Sequence, residues 1–114
     1  LCAAVLHGAA RHGAAGAFLD PMVPIGRLAD GEVAHYQSRS EAGIFQAPQA
    51  FSRDILASAG RKTGGREFQS TAQMVIDAGS SLLAVPGEPE NIKITTTLDW
   101  QIAQAVIAPN QGLV

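Results

Sequence analysis

The residues most able to do chemistry in this sequence lie at positions 90–99, around Lys93. The β-branched residues before position 96 are typical of a strand, and Thr96 or Thr97 can cap a helix whose first turn contains Asp99. Because backbone N–H groups and an ammonium group meet there, the segment predicts a phosphate-binding site. An exposed lysine on an edge strand would have the same local sequence, and local physics alone favours that alternative.

A second polar group lies at residues 38–51, where an arginine precedes an extended segment with two glutamines around a proline. Arg39 can hold a phosphate or carboxylate through two parallel hydrogen bonds, and Gln46 and Gln49 supply amide donors nearby. This group favours an anionic ligand. The structural alternative is that Arg39 pairs with Glu41 or lies in solvent, while the glutamines satisfy backbone groups at a turn.

The other reactive residues form no convincing set. Cys2 and His7 share one short predicted helix, with no third group to orient the histidine as a base. The three histidines lack the spacing of metal ligands, so we predict no metal held by the protein itself. The loop at residues 61–66 contains glycines and basic residues but lacks the full phosphate-loop pattern.

Composition narrows the class of protein. With 114 residues, 46% of them hydrophobic, the chain can form one small domain, although alanine supplies much of the apolar content. A net charge of −2 gives no basic surface, which argues against nucleic-acid binding. The apolar N-terminal segment is interrupted by His7, Gly8 and Arg11, so it predicts neither a signal peptide nor a membrane span. A single cysteine fits a reducing compartment, and we expect a cytoplasmic protein.

Segments with strand and helix patterns alternate along the chain, which predicts an α/β fold. The first half should contain a helix at 2–11, a strand at 14–19 and a protruding β-hairpin arm at about 23–37 that turns at Asp30-Gly31. A strand at 44–49 and a helix at 52–59, which stops at Gly60, should follow. The second half should contain a helix from Ser70 or Thr71 to Gly79, a buried strand at 82–85, a strand at Ile92 and a last helix to about Val106. In that last helix, Trp100, Ala103 and Ile107 have the spacing of a core-facing stripe. Leu1 enters directly in the register of the first helix, and we interpret the chain as part of a larger protein.

Taken in order, these residues resemble the C-terminal half of the methylerythritol-phosphate cytidylyltransferases. The family pattern has an arginine, then Gln-Thr-Pro-Gln-x-Phe, and later Asn-Ile-Lys-x-Thr-x-x-Asp-Leu. The residues that carry the resemblance here are Arg39, Gln46 to Phe51, and Asn91 to Asp99. The ribitol-phosphate cytidylyltransferases share this frame. The resemblance covers essentially all of residues 1–114 and implies a fragment of a Rossmann-like nucleotidyltransferase sheet, without the N-terminal half that binds CTP.

The resemblance implies that the intact protein moves CMP from CTP to a sugar-alcohol phosphate of the methylerythritol phosphate type and releases pyrophosphate. Mg²⁺ would be bound through the nucleotide. It also implies that Lys93 is catalytic and supports the phosphate chain, that Arg39 holds the phosphate of the acceptor, and that Gln46, Gln49 and Thr95 bind substrate. In the family the hairpin arm projects into a partner subunit, which implies a homodimer. We expect this chain alone to be inactive.

Several family positions differ in this chain. The family segment Asp-Thr-(Ile/Met)-Lys corresponds to about Val23-Pro24-Ile25-Gly26, the threonine of Gln-Thr-Pro-Gln to Ala47, and a Thr-Asp pair to roughly Gln69-Ser70. Each difference removes a polar partner from a site for a charged ligand. One alternative is therefore a degenerate, non-catalytic family member that serves in dimerisation or as a scaffold. Another is a divergent enzyme with a different polyol-phosphate acceptor.

Overall fold

The computed structural model describes the backbone of residues 1–112 and the side chains of residues 1–108. Three strands form a mixed sheet in the order β4-β1-β5, in which β1 (Ala14–Leu19) is antiparallel to β4 (Ile44–Phe51) and parallel to β5 (Leu83–Pro86). Helix α1 (Cys2–His12) packs on one face, and α2 (Arg53–Arg61) and α3 (Thr71–Asp77) pack on the other. The predicted α/β class is confirmed.

Strand β1 is the centre of the fold and is built from small residues. Residues 14–17 are all buried, and they alternate between the two faces of the sheet. Because these side chains are short, α1 lies close to the sheet, and a Cβ atom added at Gly8 would be 3.1 Å from the Cβ of Ala15. The two core clusters contain Val5, Ala15, Ala17 and Val85 on the α1 side, and Ala14, Ala59 and Val75 on the other.

A hairpin is present at the position of the predicted arm, and its two strands form a sheet of their own. Strands β2 (Ile25–Ala29) and β3 (Glu32–Gln37) are joined at Asp30 and Gly31, whose φ angles of 52° and 81° suit a two-residue hairpin turn. The radius of gyration is 17.0 Å, against about 13 Å for a compact domain of this length. The arm and the segment leading to it expose the apolar residues Met22, Val23, Leu28, Val33 and Tyr36.

The helix ends follow the predicted capping chemistry, with one difference. Ser52 Oγ accepts a hydrogen bond from the Ile55 N–H, and Ser70 Oγ accepts one from the Gln73 N–H, each at 3.2 Å. Helix α2 continues through Gly60, where the prediction placed its end, and ends at Arg61. Gly60 does not have the positive φ angle of a glycine that terminates a helix.

The predicted strand at Ile92 is wrong. The backbone turns back on itself there, with the Asn91 N–H donating to Glu88 O at 3.0 Å and the Ile92 N–H donating to Glu90 O at 2.9 Å. These local bonds occupy groups that a strand would offer to a neighbour. Residues 87–96 are therefore an irregular segment, called the lysine loop below, between β5 and helix α4 (Thr97–Gly112).

Burial in the C-terminal elements also differs from expectation. In β5 only Val85 is buried, since the strand lies at an edge of the sheet. Helix α4 continues past Val106, and its predicted core residues Trp100 and Ile107 are 55% and 53% exposed. The spacing correctly identified a helix, but of the three predicted core residues only Ala103 is half-buried. No helix in the described part of the chain is long and apolar enough to cross a membrane.

Two glycines make a matched test of backbone conformation. Around Gly60 and around Gly79 an added Cβ would meet no atom within 4 Å, but only Gly79 has a positive φ, of 102°. We expect Gly60→Ala to stabilise the folded chain by about 0.5–1 kcal/mol through higher helix propensity. Gly79→Ala should destabilise it by about 1 kcal/mol, because L-residues disfavour that region. Urea denaturation of both variants measures the difference, and a Gly60→Ala variant less stable than the original chain would contradict the prediction.

Candidate functional site

A cleft of about 700 Å³ opens between β4, the lysine loop and the start of α4. Strand β4 supplies one wall, and the loop that follows the edge strand β5 supplies the other. Apolar side chains make up much of the lining, while amide, carboxylate and ammonium groups enter from the two walls. The lining residues are Leu19, Ile44, Phe45, Gln46, Ala47, Gln49, Ser70, Pro89, Asn91, Ile92, Lys93 and Asp99.

Lys93 is the only cationic side chain among these lining residues. It is exposed, and within residues 1–108 its Nζ atom forms no hydrogen bond or ion pair. An ammonium group without a protein partner, beside a mostly apolar wall, can accept an anionic ligand without first breaking an ion pair. The structure thus brings Lys93, Gln46 and Gln49 together in one cleft.

The start of α4 is closed by a reciprocal cap beside Lys93. Thr96 Oγ1 accepts a hydrogen bond from the Asp99 N–H at 3.2 Å, and Asp99 Oδ2 accepts bonds from the N–H groups of Thr96 at 2.8 Å and Thr95 at 3.0 Å. The bond from the Thr96 N–H is the main cause that lowers the pKa of Asp99 below its ordinary 3.8, followed by the bonds from the Thr95 N–H and the Thr96 hydroxyl. The predicted cap at Thr96 is confirmed.

This cap should depend on pH in one direction. Folding lowers the pKa of Asp99. The ionised carboxylate therefore contributes fully to stability at pH values above the ordinary aspartate pKa, and this contribution is lost as the pH falls through the lowered pKa. We expect the Thr95 and Thr96 amide resonances to move together with a midpoint below pH 3.8 in an NMR titration. In an Asp99→Asn variant this movement should disappear, and a midpoint above 3.8 in the original chain would contradict the assignment.

Gln46 connects the two walls of the cleft. Its Nε2 donates to the carbonyl oxygens of Glu88 at 2.8 Å and Asn91 at 2.9 Å, and its Oε1 accepts from the Glu88 N–H at 3.1 Å. Asn91 Nδ2 donates in return to Ala47 O at 2.6 Å. Both amide hydrogens of Gln46 are therefore used within the protein, and the substrate contact predicted for Gln46 stays a prediction.

Arg39 and Thr95 lie outside the lining of the cleft. Arg39 is exposed in a short 3₁₀ turn (Arg39–Glu41), where its Nη1 donates to Met22 O at 3.4 Å. Within the described residues it makes no ion pair with Glu41, which was one of the alternatives drawn from sequence. Thr95 uses its backbone N–H to bond Asp99. The substrate-binding roles predicted for Arg39, Thr95 and Gln49 stay predictions.

Sequence reasoning gave no separate role to Asn91, which reaches across to β4. Its neighbourhood carried a signal, since an amide residue two positions after a Pro-Gly-x-Pro turn is well placed to satisfy backbone groups. The basic loop at residues 61–66 lies outside the lining of the cleft. Lys62 Nζ donates to Ala78 O at 3.3 Å, and the Arg66 guanidinium lies 5.2 Å from the centre of the Phe68 ring.

Metal-binding residues do not cluster in the described part of the chain. Within it, no group of three or more His, Cys, Asp or Glu side chains could hold a metal ion. At the cleft itself, Asp99 Oδ2 already accepts two backbone N–H groups. These residues do not fit a metal site provided by this chain.

Comparison with known proteins gives consistent matches. Residues 4–109 match the family model IspD, 2-C-methyl-D-erythritol 4-phosphate cytidylyltransferase. A protein of that name from Pelotomaculum thermopropionicum is 39% identical, across 96% of this chain and 47% of the relative. One from Syntrophus aciditrophicus is 33% identical, across 95% of this chain and 47% of the relative.

Solved structures match in the same way. The crystal structure of 2-C-methyl-D-erythritol 4-phosphate cytidylyltransferase from Thermus thermophilus is similar with a TM-score of 0.81 and 30% identity, and the match covers 93% of this chain and 53% of that one. A synthase from Anaerococcus prevotii, at 22% identity and a TM-score of 0.81, supports the fold alone. The chain spans about half the length of the proteins it matches.

Proposed function

Because this chain belongs to the 2-C-methyl-D-erythritol 4-phosphate cytidylyltransferase family, we propose that it is the acceptor-binding half of an enzyme that moves CMP from CTP to a sugar-alcohol phosphate. The family's enzymes use CTP and methylerythritol phosphate. The observation that carries the proposal is Lys93, an ammonium group without a partner within residues 1–108, in a cleft beside Gln49.

The proposed reaction needs positive charge more than a protein nucleophile. An oxygen of the acceptor phosphate attacks the α-phosphorus of CTP, the bond from that phosphorus to the bridging oxygen breaks, and pyrophosphate leaves with the electron pair. Negative charge accumulates on the phosphoryl oxygens, and a fixed ammonium group lowers the energy of that state. We assign this role to Lys93, and we assign binding of the acceptor phosphate to Arg39.

The proposed cofactor is Mg²⁺, carried in by the nucleotide. The described residues contain no cluster that could hold the ion, so its ligands would come from the triphosphate and from residues outside this chain. We derive no step of the reaction through it. A nucleotide-borne ion also agrees with the lone cation of the cleft, since Lys93 alone cannot balance a triphosphate.

A second candidate function is a non-catalytic dimerisation or scaffold domain. The observation that favours it is the hairpin arm, where Leu28 is 71% and Val33 is 66% exposed. Exposed apolar side chains on a projecting arm are typical of a protein interface. The arm would mediate a homodimer in either case, and sedimentation of the protein before and after Leu28→Asp and Val33→Asp would show whether a dimer depends on it.

The deciding experiment is a turnover assay of the intact protein. We expect CTP, methylerythritol phosphate and Mg²⁺ to yield pyrophosphate and a cytidine diphosphate sugar alcohol in equal amounts, with no product when the acceptor is omitted. An intact protein that releases no pyrophosphate with any polyol phosphate would overturn the catalytic proposal and favour the scaffold. Product formed only with a different acceptor would identify a divergent enzyme.

A further inference from the structure

The four hydrogen bonds between β4 and the lysine loop form a reciprocal contact, here called the amide clasp. Gln46 bonds three backbone groups of residues 88–91, and Asn91 bonds the Ala47 carbonyl beside it. Each amide side chain thus bonds the backbone of the opposite segment. The clasp takes the place of a strand ladder, because residues 88–92 are not extended alongside β4.

Gly87 leaves the space in which the Gln46 amide lies. A Cβ atom at position 87 would collide with Gln46 Oε1, and it would also be 3.0 Å from Phe18 O. The Gly87 N–H meanwhile donates to that Phe18 oxygen at 2.8 Å, which fixes the backbone at the end of β5. The backbone therefore cannot move away to make room, and only glycine fits without displacing Gln46.

The clasp is one of two anchors on either side of Lys93. It ends at Asn91, two residues before Lys93, and the Thr96–Asp99 cap holds the chain again from Thr95 onward. Only residues 92–94 lie between the two anchors. The position of the Lys93 Cα atom is therefore set from both sides by bonds that involve no ligand.

We propose that Gln46 and Asn91 are positioning residues, which act on the reaction by holding Lys93 at the cleft and not by binding substrate. This inference rests on the proposed function of Lys93 and refines it, because it removes Gln46 from the substrate contacts. The reason is the hydrogen-bond inventory of the amide, since a primary amide has two donor hydrogens and the loop accepts both. Even a small displacement of a charged group at a reacting centre lowers the reaction rate substantially.

The first test measures order in the lysine loop of the intact protein. Gln46→Met keeps the length of the side chain and removes its hydrogen bonds, while Gly87→Ala displaces the amide from the opposite side. We expect both variants to speed hydrogen exchange at the Glu88 amide by about tenfold, and we expect Gln46→Met to leave exchange in β1 unchanged. Gln101→Met, at an exposed glutamine of α4, and Gly60→Ala are the controls. Unchanged exchange at Glu88 in Gln46→Met would overturn the clasp.

The second test separates positioning from substrate contact. We expect Gln46→Met to lower kcat about tenfold with little change in KM when Lys93 is present, and by less than about twofold in a Lys93→Ala background. Equal losses in the two backgrounds, or a loss confined to KM, would overturn the proposal. An intact protein that lacks turnover would contradict the proposed function, whereas the exchange measurement would still decide whether the clasp holds the loop.

Discussion

Replacing Lys93 by alanine in the intact protein is expected to lower kcat by about 10²–10³-fold, the range found when one preorganised electrostatic group is removed from a reacting centre. The reason lies in the cleft, where Lys93 is the only lining cation and no protein group within residues 1–108 neutralises it. Steady-state pyrophosphate release at saturating CTP measures the change. The fold should be unaffected, because the side chain is exposed.

The matched control for this prediction is Lys62→Ala. Lys62 is also an exposed lysine outside the helices and strands, but its ammonium group donates to the Ala78 carbonyl and does not line the cleft. We expect turnover within about twofold of the unmodified protein, as for most surface substitutions away from special features. Equal losses for the two variants would remove the phosphate role from Lys93.

The second large effect is the loss of turnover expected when residues 1–114 are assayed in isolation. We expect residues 1–114 alone to release no measurable pyrophosphate from CTP, Mg²⁺ and methylerythritol phosphate, while the intact protein does so. The described residues contribute a single lining cation to the cleft and no metal-binding cluster. One positive charge cannot balance the negative charge of a triphosphate. Pyrophosphate release that follows the concentration of the isolated chain would contradict this expectation. The same chain with Lys93→Ala controls for a contaminating enzyme that releases pyrophosphate from CTP.

The fold was predictable wherever local chemistry and tertiary structure agree. The Asp30-Gly31 turn, the caps at Ser52, Ser70 and Thr96, and the buried strand β1 all follow from residue types at short range. Local preference and observed structure coincide in these places because the required bonds are made within a few residues.

The strand predicted at Ile92 was wrong because the structure there depends on a contact between distant parts of the chain. β-branched residues favour strands, but the favourable partner for this backbone is an amide side chain 45 positions earlier in the chain. Gln46 and Asn91 could be identified as polar residues, whereas their mutual contact required the antiparallel pairing of β4 with β1 to be known. In helix α4, periodicity identified an apolar side at Trp100 but could not say what covers it.

For the candidate site, the sequence named residues that line one cleft, but it did not distinguish their roles. Lys93, Gln46 and Gln49 do share one cleft. The distinction between a residue that faces ligand and one that holds a loop depends on which hydrogens of an amide are already donated, and spacing does not contain that information. Arg39 illustrates the same limit, since its place beside Met22 follows from the path of the hairpin.

The small residues of β1 have a thermodynamic consequence. The heat capacity of unfolding grows with the apolar surface that becomes exposed, about 12–15 cal/mol/K per residue in ordinary globular domains. In this chain the central strand contributes methyl groups at Ala14, Ala15 and Ala17, while larger side chains such as Leu28 and Trp100 are already in contact with water. Calorimetry of the isolated chain should therefore give a heat capacity increment below that range, and its stability should change less steeply with temperature than that of a domain of equal length with a core of leucine and phenylalanine.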